Sequence, residues 1–147
     1  IETSIGVDRM FLSVMAASLK EEVVNEKGET RVVLNLPPAL APVKVGILPL
    51  VNKDGLPEKA EEILKDLRYD YNCQIEAKDS IGKRYRRQDA IGTPYCVTVD
   101  HQTLEDNTVT LRYRDTMAQE RVAIADLHKI IGDSVNISSL LRKIEND

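Results

Sequence analysis

The segment Val43-Lys-Val-Gly-Ile-Leu-Pro-Leu-Val51 decides the fold, because its apolar residues follow one another almost without alternation. Such a run is typical of a strand that is covered on both faces, as the strands of a parallel sheet are. Pro57 then opens a helix, since proline is favoured in the first helical turn. An apolar stripe from Leu56 to Tyr71 forms the inner side of that helix. We therefore expect an α/β domain that begins at residue 43.

The segments that follow alternate between strand and helix before ending in a hairpin and a further helix. They are a strand over residues 73–77, a helix from Ser80 to Gly92, a strand over 95–99, an antiparallel hairpin over 108–114 and 119–124, and a helix over 126–133. Strand-helix-strand units make right-handed crossovers between parallel strands. The sequence therefore predicts a mixed five-stranded sheet with three helices.

The residues before position 43 form a separate segment. Apolar residues at helical spacing predict an amphipathic helix over residues 7–19, and residues 31–36 are expected to form a strand after a polar stretch. Pro37, Pro38 and Pro42 cannot continue a helix or a central strand. We divide the chain into a first segment over residues 1–36, a linker over 37–42, the α/β domain over 43–136 and an amphipathic tail over 137–147.

Composition and charge exclude several classes of protein. The 147 residues carry a net charge of -4, which does not indicate a general binder of polyanions. No run of about 18 apolar residues could cross a bilayer, so no membrane contact is expected. The spacing of Cys73, Cys96, His101 and His128 resembles no zinc site, so we predict no metal and a reducing, cytoplasmic location. We interpret the cysteines as buried small apolar residues and the histidines as structural or solvent-facing.

Cations are concentrated in two places. Residues 78–87 are dominated by Lys and Arg, and Lys83, Arg86 and Arg87 lie at positions i, i+3 and i+4 of the predicted helix. Like charges at that spacing repel one another, so a polyanionic partner would explain why they are grouped. A second basic group lies on the predicted hairpin. It consists of Arg112, Arg114 and Arg121.

Each basic group has a competing interpretation as an ordinary solvated surface. Arg is favoured over Lys in both groups, which suits bidentate contact with phosphates or base edges. Tyr85 and Tyr113 could stack on unpaired bases, or they could pack in the core of a domain that has one Phe and no Trp. The sequence alone leaves these alternatives open.

Several stretches resemble the motifs of a known family. Ile1-Glu-Thr-Ser-Ile-Gly-Val-Asp-Arg9 resembles the third signature motif of class II aminoacyl-tRNA synthetases, a strand running into a helix. Everything from residue 41 onward resembles the C-terminal anticodon-binding domain of the glycyl-tRNA synthetase family. The stretches that carry this resemblance are Ala41-Pro-Val-Lys-Val-Gly-Ile-Leu-Pro-Leu50, Asp79-Ser-Ile-Gly-Lys-Arg-Tyr-Arg-Arg-Gln-Asp-Ala-Ile-Gly-Thr-Pro94, Val97-Thr-Val-Asp100 and Arg114-Asp-Thr-Met117.

The resemblance implies that this chain is the C-terminal part of a longer enzyme, as its start at Ile1 instead of a methionine also suggests. Residues 1–36 would be a strand-helix remnant of a class II catalytic domain, and the rest would recognise the anticodon of tRNA-Gly. The full-length protein is expected to activate glycine with ATP and Mg, to form a homodimer and to be cytoplasmic. The first two class II motifs have no counterpart here, so we expect this chain alone to be inactive and to hold no cofactor.

The resemblance also implies roles for single residues. Arg9 would bind an ATP phosphate, and Glu2 and Ser4 would bind glycine. Tyr113 departs from the family pattern Arg-Asp-Arg-Asp. For anticodon binding we expect contacts from the cations of the second helix and of the hairpin. These are Lys83, Arg84, Arg86, Arg87, Arg112 and Arg114.

Two other functions remain to be considered. One is a free-standing RNA-binding or regulatory module of the same fold without ligase activity. The other is a flavodoxin-like domain, which requires a phosphate-binding loop after the first strand, and residues 52–55 are too short and polar to form one. If the chain is a fragment of a synthetase, Val7, Phe11, Val14 and Met15 have lost their packing partners and should form an exposed apolar patch.

Overall fold

A computed structural model of the chain describes residues 4–26 and 28–145. The helices are α1 (Val7–Ser18), α2 (Leu56–Leu67), α3 (Ile81–Ile91), α4 (His101–Asp106), α5 (Leu127–Val135) and α6 (Ile137–Glu145). The strands are β1 (Leu19–Val23), β2 (Thr30–Leu34), β3 (Val45–Pro49), β4 (Cys73–Ile75), β5 (Tyr95–Val99), β6 (Thr108–Tyr113) and β7 (Gln119–Ala123). Short 3-10 turns occupy Pro38–Leu40 and Ile124–Asp126.

The main sheet has five strands in the order β4-β3-β5-β6-β7. β3 pairs in parallel with β4 and with β5, so that Ile47 lies between Ile75 and Val97. β5, β6 and β7 pair in antiparallel fashion. The mixed five-stranded sheet expected from the sequence is therefore confirmed.

Helices cover both faces of this sheet, which explains the uninterrupted apolar run in β3. Val45 and Ile47 belong to the core that packs against α2 and α5. Gly46 faces the other way, because a Cβ atom placed there would lie 3.0 Å from the side chain of Gln88 on α3. α2 and α5 thus lie on one face of the sheet and α3 lies on the other. The absence of a side chain at Gly46 lets α3 approach β3 closely.

The α/β domain contains four helices, α2 to α5, where the sequence predicted three. The additional one is α4, which follows β5 directly and spans only six residues. A capping box starts this helix: the carboxylate of Asp100 accepts the N–H of Thr103 at 3.0 Å, and the Thr103 hydroxyl accepts the N–H of Asp100 at 3.1 Å. A helix this short has too few residues to show an apolar period, so the sequence analysis missed it.

The first segment also differs from the prediction. Residues 4–6 are not in a strand, and residues 1–3 lie outside the described part of the chain, so no strand precedes α1 in what is described. The polar stretch after α1 contains strand β1, which pairs with β2 as an antiparallel hairpin with Leu19 opposite Leu34. Most residues of β1 are exposed, and its sequence is therefore as polar as that of a loop.

Arg31 of β2 joins this hairpin to the α/β domain. Its guanidinium donates to the carboxylate of Asp89 on α3 at 3.0 Å and to the carbonyl of Arg114 at 2.9 Å. Asp89 is fully buried and also receives two hydrogen bonds from Arg112 on β6, at 2.7 and 3.0 Å. Two arginines thus face one carboxylate, and the surplus positive charge is balanced by Glu22, which pairs with Arg31 at 2.7 Å. This buried group of charges holds the hairpin, α3 and the sheet together.

The apolar patch expected on the first helix is present. Val7 and Phe11 of α1 are 74% and 66% exposed, and Val14 is also exposed, while Met15 is half-buried. Together with buried or half-buried apolar residues that include Leu34 and Leu36, α1 lines a groove of about 510 Å³. At the other end of the chain α6 leaves a second apolar stripe exposed. Its members are Ile137, Leu141 and Ile144.

The Asp89 carboxylate should contribute strongly to stability. We expect Asp89→Asn, which keeps the shape of the side chain, to lower the free energy of unfolding by about 3 to 5 kcal/mol, because the buried Arg112 would lose its counter-ion and Arg31 would keep only Glu22. Urea unfolding measures this difference. Glu61→Gln removes an exposed carboxylate from α2 and is the control. A loss below about 1 kcal/mol would contradict the role assigned to Asp89.

Gly92 and Gly82, near the two ends of α3, should respond oppositely to alanine. Gly92 has a φ of 83°, and a Cβ atom there would lie 2.8 Å from the Leu34 carbonyl oxygen. Gly82 has no atom within 4 Å of the corresponding position. We expect Gly92→Ala to destabilise by more than about 2 kcal/mol and Gly82→Ala to stabilise by about 0.4 to 1 kcal/mol. Thermal unfolding of both variants tests this, and equal effects would speak against it.

Candidate nucleic-acid interface

The six cations expected to contact an anticodon separate into a buried and an accessible set. Arg84, Arg112 and Arg114 are 3%, 5% and 1% exposed. Lys83 and Arg87 are exposed, and Arg86 is half-buried. Sequence spacing placed Lys83, Arg86 and Arg87 on an exposed helix face and Arg112 and Arg114 on one face of a strand. For Arg84, Arg112 and Arg114, the expectation of a surface position is wrong. Their guanidinium groups bind acceptors inside the protein.

Arg84 connects the carboxyl ends of β3 and β4. Its Nε donates to the Asp79 carbonyl at 3.0 Å, and its Nη atoms donate to the carbonyls of Pro49, Leu50 and Glu76 at 2.5 to 3.3 Å. Backbone carbonyls left unpaired at the ends of strands need donors when they are buried. Arg84 supplies donors to four carbonyls at once through its planar guanidinium, whereas a lysine ammonium has only three N–H donors.

Arg112 and Arg114 also bind acceptors inside the protein, at the other end of the domain. Arg112 binds Asp89, and its guanidinium carbon lies 4.7 Å from the centre of the Tyr85 ring. Arg114 donates to the carbonyls of Leu34, Gly92 and Leu36 at 3.2, 2.8 and 2.8 Å. Arg114 thus anchors the segment that links β2 to the α/β domain.

The accessible cations share one side of α3. Lys83 makes no hydrogen bond or ion pair with any residue that the structure describes. Arg86 has a buried Nη1 atom that also lacks a hydrogen-bond partner among the described residues. Arg87 is different, because it binds the carboxylates of Glu76 and Asp79, the latter at 2.9 Å. Hydrogen bonding to Glu76 raises the pKa of Arg87.

The two tyrosines considered as stacking platforms pack inside the domain instead. Tyr85 lies beneath Arg112, and its hydroxyl is 2.6 Å from that of Thr98, so one face of its ring is covered. Tyr113 packs edge-on against Tyr95 with ring centres 5.6 Å apart. Both arrangements support the packing alternative.

The most exposed aromatic residue of the described chain is Tyr69, which is 88% exposed. It follows the end of α2 and, with Arg68, lines a cavity of about 550 Å³. The sequence analysis did not single it out, because an apolar stripe that runs to Tyr71 conceals where the helix ends. The roles of Glu76 and Asp79 as partners of Arg87 were also missed, because Glu76 was assigned to the predicted strand over 73–77 and no local pattern links either carboxylate to Arg87.

Of the residues expected to bind ATP and glycine, only Arg9 and Ser4 are described by the structure. Arg9 and Ser4 are exposed at the start of the first segment, and Glu2 lies outside the described residues. The nearby groove has an apolar lining to which neither Arg9 nor Ser4 contributes. Among the described residues no group of three His, Cys, Asp or Glu side chains could hold a metal ion.

The histidines and cysteines have structural surroundings. His101 pairs with Asp54, and His128 lies between Asp66 and Asp70, with N···O distances of 3.1 Å in each case. Burial raises the pKa of Cys73 to about 11 and that of Cys96 to about 12. Both thiols are therefore unreactive near neutral pH.

Comparison with protein families shows what kind of domain carries the accessible side of α3. A family model described as "Anticodon binding domain" matches residues 44–133, from the start of β3 into α5. The chain belongs to the anticodon binding domain family. This domain therefore carries the accessible cations of α3. No helix in the described part of the chain is long and apolar enough to cross a membrane.

Similar proteins extend the match beyond the domain. The chain is 53% identical over 122 residues to a protein named glycine-tRNA ligase from Chlorobaculum tepidum, covering 83% of this chain and 26% of that protein. It is 50% identical over 131 residues to a protein of the same name from Borrelia hermsii, covering 89% of this chain and 29% of that protein. The chain thus spans about a quarter of the length of these curated relatives.

Solved structures of two synthetases share the fold. The prolyl-tRNA synthetase of Cryptosporidium parvum superposes with a TM-score of 0.63 at 23% identity, covering 76% of this chain and 26% of that one. The RNA binding domain of threonyl-tRNA synthetase from Cryptosporidium parvum Iowa II gives a TM-score of 0.61, also at 23% identity, covering 68% and 25%. At this level of identity the likeness establishes the fold.

The hydrogen bond between Tyr113 and Glu120 gives the domain a titration that can be followed by phenolate absorbance. The Tyr113 hydroxyl donates to the Glu120 carboxylate, and this hydrogen bond raises the pKa of Tyr113 from 10.0 to about 12. Because the unfolded phenol ionises first, stability should fall as the pH rises through this interval. We expect Tyr113→Phe to abolish a transition near pH 12 and Glu120→Gln to move it toward 10. An unchanged titration in both variants would refute the assignment.

Proposed function

We propose that this chain is the tRNA anticodon-binding part of a glycine-tRNA ligase. The observation that carries the proposal is the identity of about 50% to proteins with that name over more than four fifths of the chain. Membership of the anticodon binding domain family supports the same assignment. A free-standing RNA-binding module is not favoured, because the relatives extend well beyond this chain.

The accessible side of α3 is the surface that would meet the RNA. Lys83 is an exposed cation without a partner among the described residues, and Arg86 is a half-buried cation of the same helix whose Nη1 atom is buried and unpaired within the described chain. Such groups bind phosphates and release counter-ions, so affinity falls as salt rises. Sequence-specific recognition of RNA loops relies on unstacked bases whose edges are free to bond. Arg84, Arg112 and Arg114 would contribute indirectly, by holding this surface in shape.

The whole protein, which we infer to be a class II enzyme, would activate glycine with ATP, carry Mg as the companion of ATP, work as a homodimer and reside in the cytoplasm. In it Arg9 would contact an ATP phosphate, and Glu2 and Ser4 would contact glycine. Here Arg9 is exposed, and no cluster of metal-binding side chains occurs among the described residues. ATP activation needs groups from several strands held in mutual register, so we expect this chain by itself not to aminoacylate.

Removing the accessible cations should weaken tRNA binding without harming the fold. We expect Lys83→Ala and Arg86→Ala each to weaken binding of a tRNA-Gly transcript and to reduce the steepness of its salt dependence by about 0.7 to 0.9 per lost phosphate contact. Filter binding over a range of salt concentrations measures both quantities. Lys65→Ala is the matched control, because Lys65 is exposed on α2, on the opposite face of the sheet.

If the transcript binds wild-type chain and both α3 variants with the same affinity and the same salt dependence, the RNA surface lies elsewhere. If wild-type chain does not bind the transcript at all, the proposed function itself fails.

A further inference from the structure

One cation of the accessible side of α3 is already neutralised by the protein. The Nε of Arg87 binds the carboxylate of Glu76, its Nη1 binds that of Asp79 at 2.9 Å, and its Nη2 binds the Lys78 carbonyl at 2.7 Å. A guanidinium has five N–H donors, so two remain for another partner. Arg87 is nevertheless 43% exposed along its side chain, on the same helix as Lys83, which pairs with no residue in the described part of the chain.

The two carboxylates are held in place by the fold. Glu76 is only 20% exposed along its side chain and also accepts a hydrogen bond from Gln88, at 3.3 Å. Asp79 has a φ of 71°, in the left-handed region that Asp and Asn tolerate better than most residues. Both residues lie in the connection between β4 and α3, which Arg84 ties to the carboxyl end of β3. The two carboxylates are therefore held beside Arg87, where an incoming phosphate would come close to their negative charge.

A carboxylate beside a cation opposes any partner that offers negative charge alone. A loosely bound RNA backbone would be repelled by Glu76 and Asp79, whose two negative charges at least offset the single positive charge of Arg87. An RNA that presents base edges as well could use the two free N–H donors of Arg87 and give its own donors to the carboxylates. Selectivity often arises in this way, from a cost imposed on the wrong partner.

We propose that Glu76 and Asp79 are specificity-determining residues of the RNA surface: they screen Arg87 so that it adds nothing to the binding of non-cognate RNA. This inference rests on the proposed function, since it concerns selectivity among RNAs at the same surface. The competing explanation is that the ion pairs only hold the connection between β4 and α3. The two explanations differ in what happens to RNA binding when one carboxylate loses its charge.

The decisive variants are Glu76→Gln and Asp79→Asn, in which the side chain keeps its size and Asn tolerates the backbone of position 79. The probes are a tRNA-Gly transcript and an unrelated tRNA transcript, titrated by filter binding at several salt concentrations. We expect each variant to bind the unrelated tRNA about two- to five-fold more tightly. Its salt dependence should steepen by about 0.7, which corresponds to one further phosphate contact. The preference for tRNA-Gly should fall.

Two controls separate this effect from a general change in charge. Glu61→Gln removes the same charge on the opposite face of the sheet and should leave the preference unchanged. In an Arg87→Gln background, Glu76→Gln should no longer tighten binding of the unrelated tRNA, because the screened cation is gone. Urea unfolding of each variant establishes whether it is folded. If Glu76→Gln is not folded, the comparison is made with Asp79→Asn alone.

An unchanged preference in both carboxylate variants, with wild-type chain still binding tRNA-Gly, overturns this inference and leaves the proposed function standing. Equal tightening in the presence and absence of Arg87 overturns it as well. If wild-type chain does not bind tRNA-Gly, both the inference and the proposed function fall.

Discussion

The rest of the structure depends on the ion pairs that the buried carboxylate of Asp89 makes with two arginines. This carboxylate is fully buried, and it lies between Arg31 of the hairpin and Arg112 of the sheet. Removing an ion from water is costly, and the cost is offset only when partners surround it closely. Two guanidiniums meet this condition, and Glu22 balances the surplus positive charge. Three parts of the chain are thereby held in one relative position.

This arrangement determines what remains for function. Arg84 and Arg114 place their donors on backbone carbonyls where strands end or chain segments meet. The arginines of this protein thus serve largely as internal connectors, and only part of the basic sequence over residues 78–87 faces solvent. A small set of cations on a rigid helix, one of them flanked by acids, is better suited to selective contact than a broad positive surface would be.

The order of the main elements could be predicted because local patterns carry it. The apolar run in β3, the proline at the start of α2 and the alternation in β6 each reflect a regular period or a backbone restriction. β1 and α4 were missed for opposite reasons. β1 is an exposed strand with a polar sequence, and it is a strand because it pairs with β2. α4 spans six residues and depends on one capping box.

The sequence by itself determined the fold class, the concentration of cations around α3 and the apolar stripe of α1, because these follow from the spacing and order of residues along the chain. Only the tertiary structure decided which cations are accessible. Asp89 and Arg31 are 58 positions apart, and Arg114 and Leu34 are 80 positions apart, so no local pattern reveals that they meet. Whether an arginine is a surface charge or a buried connector depends on acceptors brought to it by chain folding.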